Sequence, residues 1–229
     1  MTATVVRLRD GNRTLPGGAR LLKGVDLDVV RGESIAIIGR SGSGKSTLLA
    51  GLGLLAPFDG GTHYELGGVD VATISERKRA RLRAQNVGFV LQNAGLVSHL
   101  SAIENVEMPL IHSRTMRLSR TRARASEMLD LLEVGHLSRR RSPQVSGGER
   151  QRIAIARALA IDPDLILADE PTGALDEVTG RRVLDEMLSR VAQAGAALIV
   201  VTHDPEVAAR TDRTYRLDGG TLREEARAS

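Results

Sequence analysis

Apolar residues in this chain recur in two rhythms. Short unbroken runs, Ile35 to Ile38, Leu165 to Ala168 and Ala197 to Val201, have the pattern of strands buried on both faces of a parallel sheet. Thr4 to Leu8, Val25 to Val30 and Val87 to Leu91 predict further strands. Gly11-Asn12 and Pro16-Gly17-Gly18 read as a turn-rich link between the first two, and Gly32-Glu33 as a turn. Residues 60 to 71 predict a hairpin, and Asp218-Gly219-Gly220 a hairpin turn near the end. Helical patterns cover Thr47 to Leu55, a short basic piece from Glu76 to Arg83, and Glu177 to Ala192. From Asn93 to Ala160 leucines and alanines recur at helical spacing (Met128, Leu129, Leu131, Leu132) with few β-branched runs. This predicts an inserted helical stretch with helices near 102–112, 119–133 and 148–160.

Strands alternating with helices predict an α/β fold, a mostly parallel sheet with helices on both faces. At 229 residues, with 41% hydrophobic residues, the chain is long enough for a sizeable core. Only Phe58, Tyr64, Phe89 and Tyr215 are aromatic, so that core is aliphatic. With no cysteine there is no disulfide framework, no Cys-ligated zinc and no thiol nucleophile. The longest apolar stretch, Leu48 to Pro57, is ten residues and broken by Gly51 and Gly53, about half of a membrane-spanning helix. The N-terminus shows no signal-peptide h-region. The expectation is a soluble, cytoplasmic chain that relies on another chain for any membrane spans.

Net charge is +4, and arginines cluster at 77 to 83, 114 to 124 and 139 to 141. These clusters read either as solvated helix faces or as contacts to an acidic partner or an anionic membrane face. A nucleic-acid groove commonly uses stacking aromatics, which are nearly absent, so no nucleic-acid partner is expected.

Gly39-Arg40-Ser41-Gly42-Ser43-Gly44-Lys45-Ser46 matches the phosphate-binding P-loop pattern, with an apolar strand before it and a helix after. Glycines let successive N–H groups point inward at phosphate oxygens, and the helix N-terminus adds its positive end. Lys45 supplies a cation for the β- and γ-phosphates, and Ser46 a hydroxyl for Mg²⁺. Asp169-Glu170 follows the strand 165–168, at the carboxyl edge where ligands sit in open α/β sheets. Beside a P-loop, Asp169 is the metal-holding acid and Glu170 the general base that polarises the attacking water. Ser146-Gly147-Gly148-Glu149 opens a helix and reads either as an ordinary cap or as a second anion cradle, offered to a neighbouring chain's nucleotide. His203 should emerge at the same sheet edge as Asp169, either idle or in contact with the γ-phosphate. Gln92 is a polar residue at a strand end.

Taken in order, the P-loop at 39–46, Gln92, Val145-Ser146-Gly147-Gly148-Glu149, the strand and acids at 165–170, Gly173-Ala174-Leu175-Asp176 and His203 resemble the nucleotide-binding subunit of an ATP-binding cassette transporter. The resemblance spans essentially the whole chain, and the signature followed by Gln151-Arg152-Ile153-Ala154 is highly specific. Glu104 to Leu110 and Pro171 to Asp176 are similar to the branch of lipoprotein-releasing and macrolide-exporter ATPases.

The resemblance implies a P-loop NTPase (RecA-like) core with an N-terminal antiparallel β subdomain and an inserted α-helical subdomain. The chain would be one domain, with the core and β subdomain over 1–92 and 159–229 and the helical part over about 93–158. It implies ATP and Mg²⁺ as ligands, with Gly39 to Thr47 around the nucleotide and Ser46, Gln92 and Asp169 at the metal. Glu170, His203 and Lys45 would be catalytic. An ATP-bound homodimer would set Ser146, Gly147, Gly148 and Glu149 of one copy against the nucleotide of the other, with Asp176 at the seam. The partner would be an integral membrane permease with an extracytoplasmic domain, received near Asn93 to Leu100 on the inner face of the membrane. The alternative is a cassette of the same build that regulates a membrane-linked cell-wall enzyme. The sequence departs from the family at Val145 and Glu149, where Leu and Gln are usual, and in having no aromatic residue before Phe58 to stack on adenine. Leu15 falls near that slot.

Overall fold

A computed structural model describes residues 3–225; Met1 and Thr2, which fall in the stretch read for a leader, and residues 226–229 lie outside the described residues. The chain opens with β1 (Thr4–Thr14) and β2 (Arg20–Val30), antiparallel to each other, and β1 pairs on its other side with β4 (His63–Leu66), which pairs with β5 (Val69–Asp70). Both first strands run further than the apolar pattern predicts. Gly11-Asn12 is strand, not turn, because irregular pairing between Leu8 and Thr14 absorbs it. A Cβ on Gly11 would stand 2.9 Å from the Val25 carbonyl oxygen, so glycine permits the close strand approach. The buried Asn12 then serves as an internal cross-link: its amide donates to the Asp10 carbonyl at 2.8 Å and its Oδ1 accepts from Gly24 N–H at 2.9 Å.

The second sheet contains β3 (Ser34–Ile38), β6 (Val87–Val90), β7 (Leu165–Asp169), β8 (Ala197–Thr202), β9 (Arg213–Asp218) and β10 (Thr221–Glu225). Its spatial order is β10-β9-β3-β8-β7-β6, parallel from β9 to β6 and closed by an antiparallel β10. The helices are α1 (Lys45–Leu52), α2 (Glu76–Asn86), α3 (Ala102–Ser113), α4 (Leu118–Leu131), α5 (Gly147–Leu159), α6 (Glu177–Ala194) and α7 (Pro205–Ala209). None of them is long and apolar enough to cross a membrane. The sequence pattern does not show α7, which is too short for a period. Asp204 caps it and Pro205 starts it. The expected helix over 47–55 instead runs over 45–52: Gly44 takes φ 103 before it, while Gly53 caps its end and Leu54 turns to φ 58.

Alternation along the central strands splits the core. Ile35, Ile37, Leu165, Leu167, Ile199 and Val201 face Leu48 and Leu52 of α1 and the inner side of the first sheet. Ile166, Ala168, Leu198 and Val200 face the other way, onto Val183, Leu184 and Met187 of α6 and onto Ile153 and Ala156 of α5. Val106, Leu110 and Leu129 of α3 and α4 belong to that same cluster. The helical stretch therefore shares its core with the sheet, and truncating a fully buried leucine there, such as Leu129, should destabilise by about 2–5 kcal/mol.

Candidate nucleotide site

Residues 39–44 link β3 to α1 and lie against the ends of β2 and β9. A Cβ on Gly39 would sit 2.4 Å from the Leu217 carbonyl oxygen, and one on Gly44 would sit 3.0 Å from that of Leu21. With Gly42 at φ 77 and Gly44 at φ 103, glycine is needed for both space and backbone angle. The loop opens on a cavity of about 630 Å³. Its lining includes Gly39, Arg40, Ser41, Gly42, Gly44, Lys45, Ser46 and Thr47, then Gln92 from the end of β6, Asp169 and Glu170 from the end of β7, and His203 beyond β8. Ser43 turns inward, and its Oγ is buried with no hydrogen-bond partner. Lys45 Nζ donates to the carbonyls of Gly39 at 2.7 Å and Arg40 at 3.0 Å, holding the loop as a ring.

Burial and the neighbouring Glu170 charge push the Asp169 carboxyl above its ordinary range, and the Lys45 cation partly offsets this. Glu170 adopts φ 45, uncommon for a residue with a side chain, and its N–H is tied to the Val201 carbonyl at 2.9 Å. Its Oε2 accepts from Thr202 Oγ1 at 3.2 Å, and its Oε1 lies 2.7 Å from His203 Nδ1. With the carboxylate ionised, the imidazole is the donor.

Gln92 begins a loop with two consecutive left-handed residues, Ala94 at φ 58 and Gly95 at φ 56. Two side chains of α5 hold its backbone. Gln151 Nε2 donates to the Leu91 carbonyl at 3.3 Å, and the Arg157 guanidinium donates to Ala94 at 2.8 Å and Gly95 at 2.6 Å. Burial lowers the Arg157 pKa from its ordinary value. Leu21, at the start of β2, also lines the main cavity, and Arg20 and Lys23 line a smaller one beside it with Ser43 and Gly220. Local pattern does not reveal Leu21, Gln151 or Arg157, because their parts depend on elements distant in sequence. None of the four aromatic side chains lines either cavity, and Leu15, 40% exposed in the turn between β1 and β2, lines neither.

The remaining candidates stand apart from this cavity. Ser146 caps α5 in a capping box: Glu149 N–H donates to Ser146 Oγ at 3.3 Å, and Glu149 Oε2 accepts from Ser146 N–H at 2.7 Å. These bonds hold the Glu149 carboxyl below its ordinary range. A Cβ on Gly147 would meet Leu175 at 3.2 Å and one on Gly148 would meet Thr179 at 2.7 Å, so the signature packs on the segment around Asp176. Asp176 caps α6 through Thr179 N–H at 3.0 Å and lines a separate cavity of about 270 Å³ that also reaches Glu170 and His203.

The Ser46 hydroxyl, the Asp169 carboxylate and the Gln92 amide oxygen are hard oxygen donors and fit Mg²⁺. No cluster of three His, Asp or Glu side chains suited to a metal occurs among the described residues. The set therefore suits an ion that completes its shell with phosphate oxygens and water.

The family model described as ABC transporter matches residues 22–173. The chain is 47% identical over 208 residues to the lipoprotein-releasing system ATP-binding protein LolD of Bordetella pertussis, covering 90% of this chain and 89% of the relative. It is 42% identical over 221 residues to the macrolide export ATP-binding/permease protein MacB 1 of Escherichia coli O1:K1, covering 95% of this chain and 34% of that protein. Among solved structures it is similar to the ATP-binding cassette MJ0796, described as a dimeric post-hydrolysis state bound to ADP and Pi. The TM-score is 0.87 at 36% identity, over 98% of this chain and 99% of that one. These relatives are named for release and export, so the cell-wall-regulator alternative is not favoured. The match over two-thirds of the length, the relatives above 40% identity and the shared α/β architecture agree: the chain belongs to the ABC transporter family, as an ATP-binding and ATP-hydrolysing cassette.

Proposed function

We propose that this cassette hydrolyses ATP to drive export, or extraction from the membrane, through a separate integral membrane permease. One observation carries the reading: residues from four separate parts of the chain, Lys45, Gln92, Asp169–Glu170 and His203, converge on one cavity lined by the glycine loop. Lys45 holds the β- and γ-phosphates and Gly39 to Thr47 enclose them. Ser46, Asp169 and Gln92 would hold Mg²⁺, which when bound would screen phosphate charge. Glu170 takes a proton from the attacking water, and His203 orients Glu170 and meets the γ-phosphate.

Ser146 to Glu149 lie off their own chain's cavity, which supports their use in trans. In an ATP-bound homodimer they complete the partner copy's site, with Asp176 at the seam. The chain is one domain, with the core and β parts over 1–92 and 159–229 and the helical part over about 93–158. The permease docks near Asn93 to Leu100, bears an extracytoplasmic domain, and holds the cassette at the inner face of the membrane. The relatives named for lipoprotein release and macrolide export support this reading. The test is ATP-dependent dimerisation of Glu170→Gln by size-exclusion chromatography. A dimer that forms with ATP and dissociates on nucleotide removal is expected; a strict monomer at saturating ATP contradicts the in-trans arrangement.

A further inference from the structure

Residues 77–86 and 114–124 contain ten basic side chains and no acidic one. They are far apart in sequence and adjacent in space. Gln85, on α2, donates through Nε2 to the carbonyl of Ser113, the last residue of α3, at 3.0 Å. Lys78 and Arg81 share the helix face of Gln85, seven and four residues before it, and so line the approach to the turn between α3 and α4. That turn carries Arg114 and Arg117, and Arg120 follows in the first turn of α4. Four of the ten are engaged within the protein: Arg79 with Glu76, Arg122 with Glu107, Arg124 with Glu127 and Asp162, and Arg83 with the Leu54 carbonyl. The other six (Arg77, Lys78, Arg81, Arg114, Arg117 and Arg120) are exposed and make no ion pair among the described residues.

Large apolar side chains stand among them. Leu118 is 70% exposed beside Arg117, and Ile111 is 43% exposed one helical turn before Arg114. On the far side of α2, next to the Leu54 carbonyl that receives Arg83, Leu55 is 60% exposed. A strip of unpaired cationic side chains flanked by exposed aliphatic ones is chemically matched to a bilayer surface, with anionic headgroups for the charges and the upper acyl region for the aliphatic groups. It fits nucleic acid less well, because no aromatic ring stands in either segment.

We infer that α2 and the α3–α4 turn form a lipid-contacting face, which seats the cassette on an anionic membrane through Lys78, Arg81, Arg114 and Arg117 with Leu118 inserted. The inference rests on the proposal that the cassette works at a membrane. It predicts a direct lipid contact beyond the one through the permease.

The test is co-sedimentation of the full chain with vesicles of phosphatidylcholine alone or containing about one-third phosphatidylglycerol, with ATP hydrolysis measured in parallel. Salt-sensitive binding to the anionic vesicles alone is expected. Each neutralised arginine should weaken it about five-fold, following roughly 1 kcal/mol per basic residue near such a surface. Arg81→Glu with Arg117→Glu should abolish it, and Leu118→Ser should weaken it, all with ATP turnover unchanged. Three outcomes overturn the inference: no sedimentation, equal sedimentation with both vesicle types, or tighter binding to a single-stranded oligonucleotide at the same salt. Loss of ATP turnover in wild type would instead be a failure of the functional proposal, read independently of the vesicles.

Discussion

Glu170 Oε1 and His203 Nδ1 lie 2.7 Å apart, across the ends of neighbouring parallel strands, with Glu170 held at φ 45. A left-handed backbone at a residue with a side chain costs of order 1–3 kcal/mol and persists only where surrounding bonds impose it. Here they do, through the Val201 carbonyl and the Thr202 hydroxyl. With that backbone, Glu170 lines the cavity that the glycine loop opens on.

This pairing gives the first prediction. Glu170→Gln keeps shape and hydrogen-bond capacity but cannot take a proton, so steady-state ATP turnover should fall by at least about 100-fold. ATP affinity should stay within a few-fold. His203→Ala should also slow turnover while leaving binding intact. Wild-type hydrolysis by Glu170→Gln would remove the carboxylate from the role of base.

Lys45 reaches two carbonyls of its own loop, so it is poised over the ring proposed to enclose the phosphates. Lys45→Ala removes a charge-assisted contact worth about 1.5–3 kcal/mol. Titration with a fluorescent ATP analogue should show binding roughly 10- to 100-fold weaker. An unchanged affinity would contradict the phosphate assignment.

The raised pKa of Asp169 has a consequence for stability. A folded-state pKa above the unfolded one means that the proton-bound form is favoured on folding. The contribution is fully present below the ordinary aspartate value of 3.8 and is lost as pH rises through the folded value. At neutral pH the ionised carboxylate therefore destabilises the nucleotide-free protein. Asp169→Asn should raise its melting temperature at pH 7 while lowering ATP turnover. If melting at pH 7 is unchanged or lower, burial and Glu170 are not acting on this group as argued.

The Arg157 fork spans the carbonyls of Ala94 and Gly95. A lysine cannot reproduce two donors in one plane. Arg157→Lys should speed amide hydrogen exchange over residues 93–96, with little change in the first sheet. Unaltered exchange there would mean that the left-handed pair holds itself.

None of the four aromatic side chains lines either cavity, so an adenine bound there would have no ring to stack on. Base–ring stacking contributes about 1–3 kcal/mol, so recognition should rest on the phosphates, with a relatively high ATP requirement. ATP and GTP turnover, measured side by side, should agree within about ten-fold, and a strong preference for ATP would show that the base is read by other groups.

The amino-acid sequence alone determined the α/β class, the buried strands 35–38, 165–168 and 197–201 and the glycine loop between β3 and α1. These are local properties: apolar runs, glycine spacing and an acid pair at a strand end act over a few residues. What only the tertiary structure decided is how distant pieces meet. Gly11-Asn12 resembles a turn in isolation, yet the close approach of Val25 and the bond to Gly24 make it strand. His203 could have been an idle loop residue until parallel pairing of β7 with β8 set it against Glu170. Arg157 sits on α5, and its engagement depends on a loop about sixty residues away in sequence. Arginine runs at 77–83 and 114–124 carried no relation to one another until Gln85 met Ser113. Periodicity encodes which face of an element is apolar; which element that face meets is settled only when the whole chain packs.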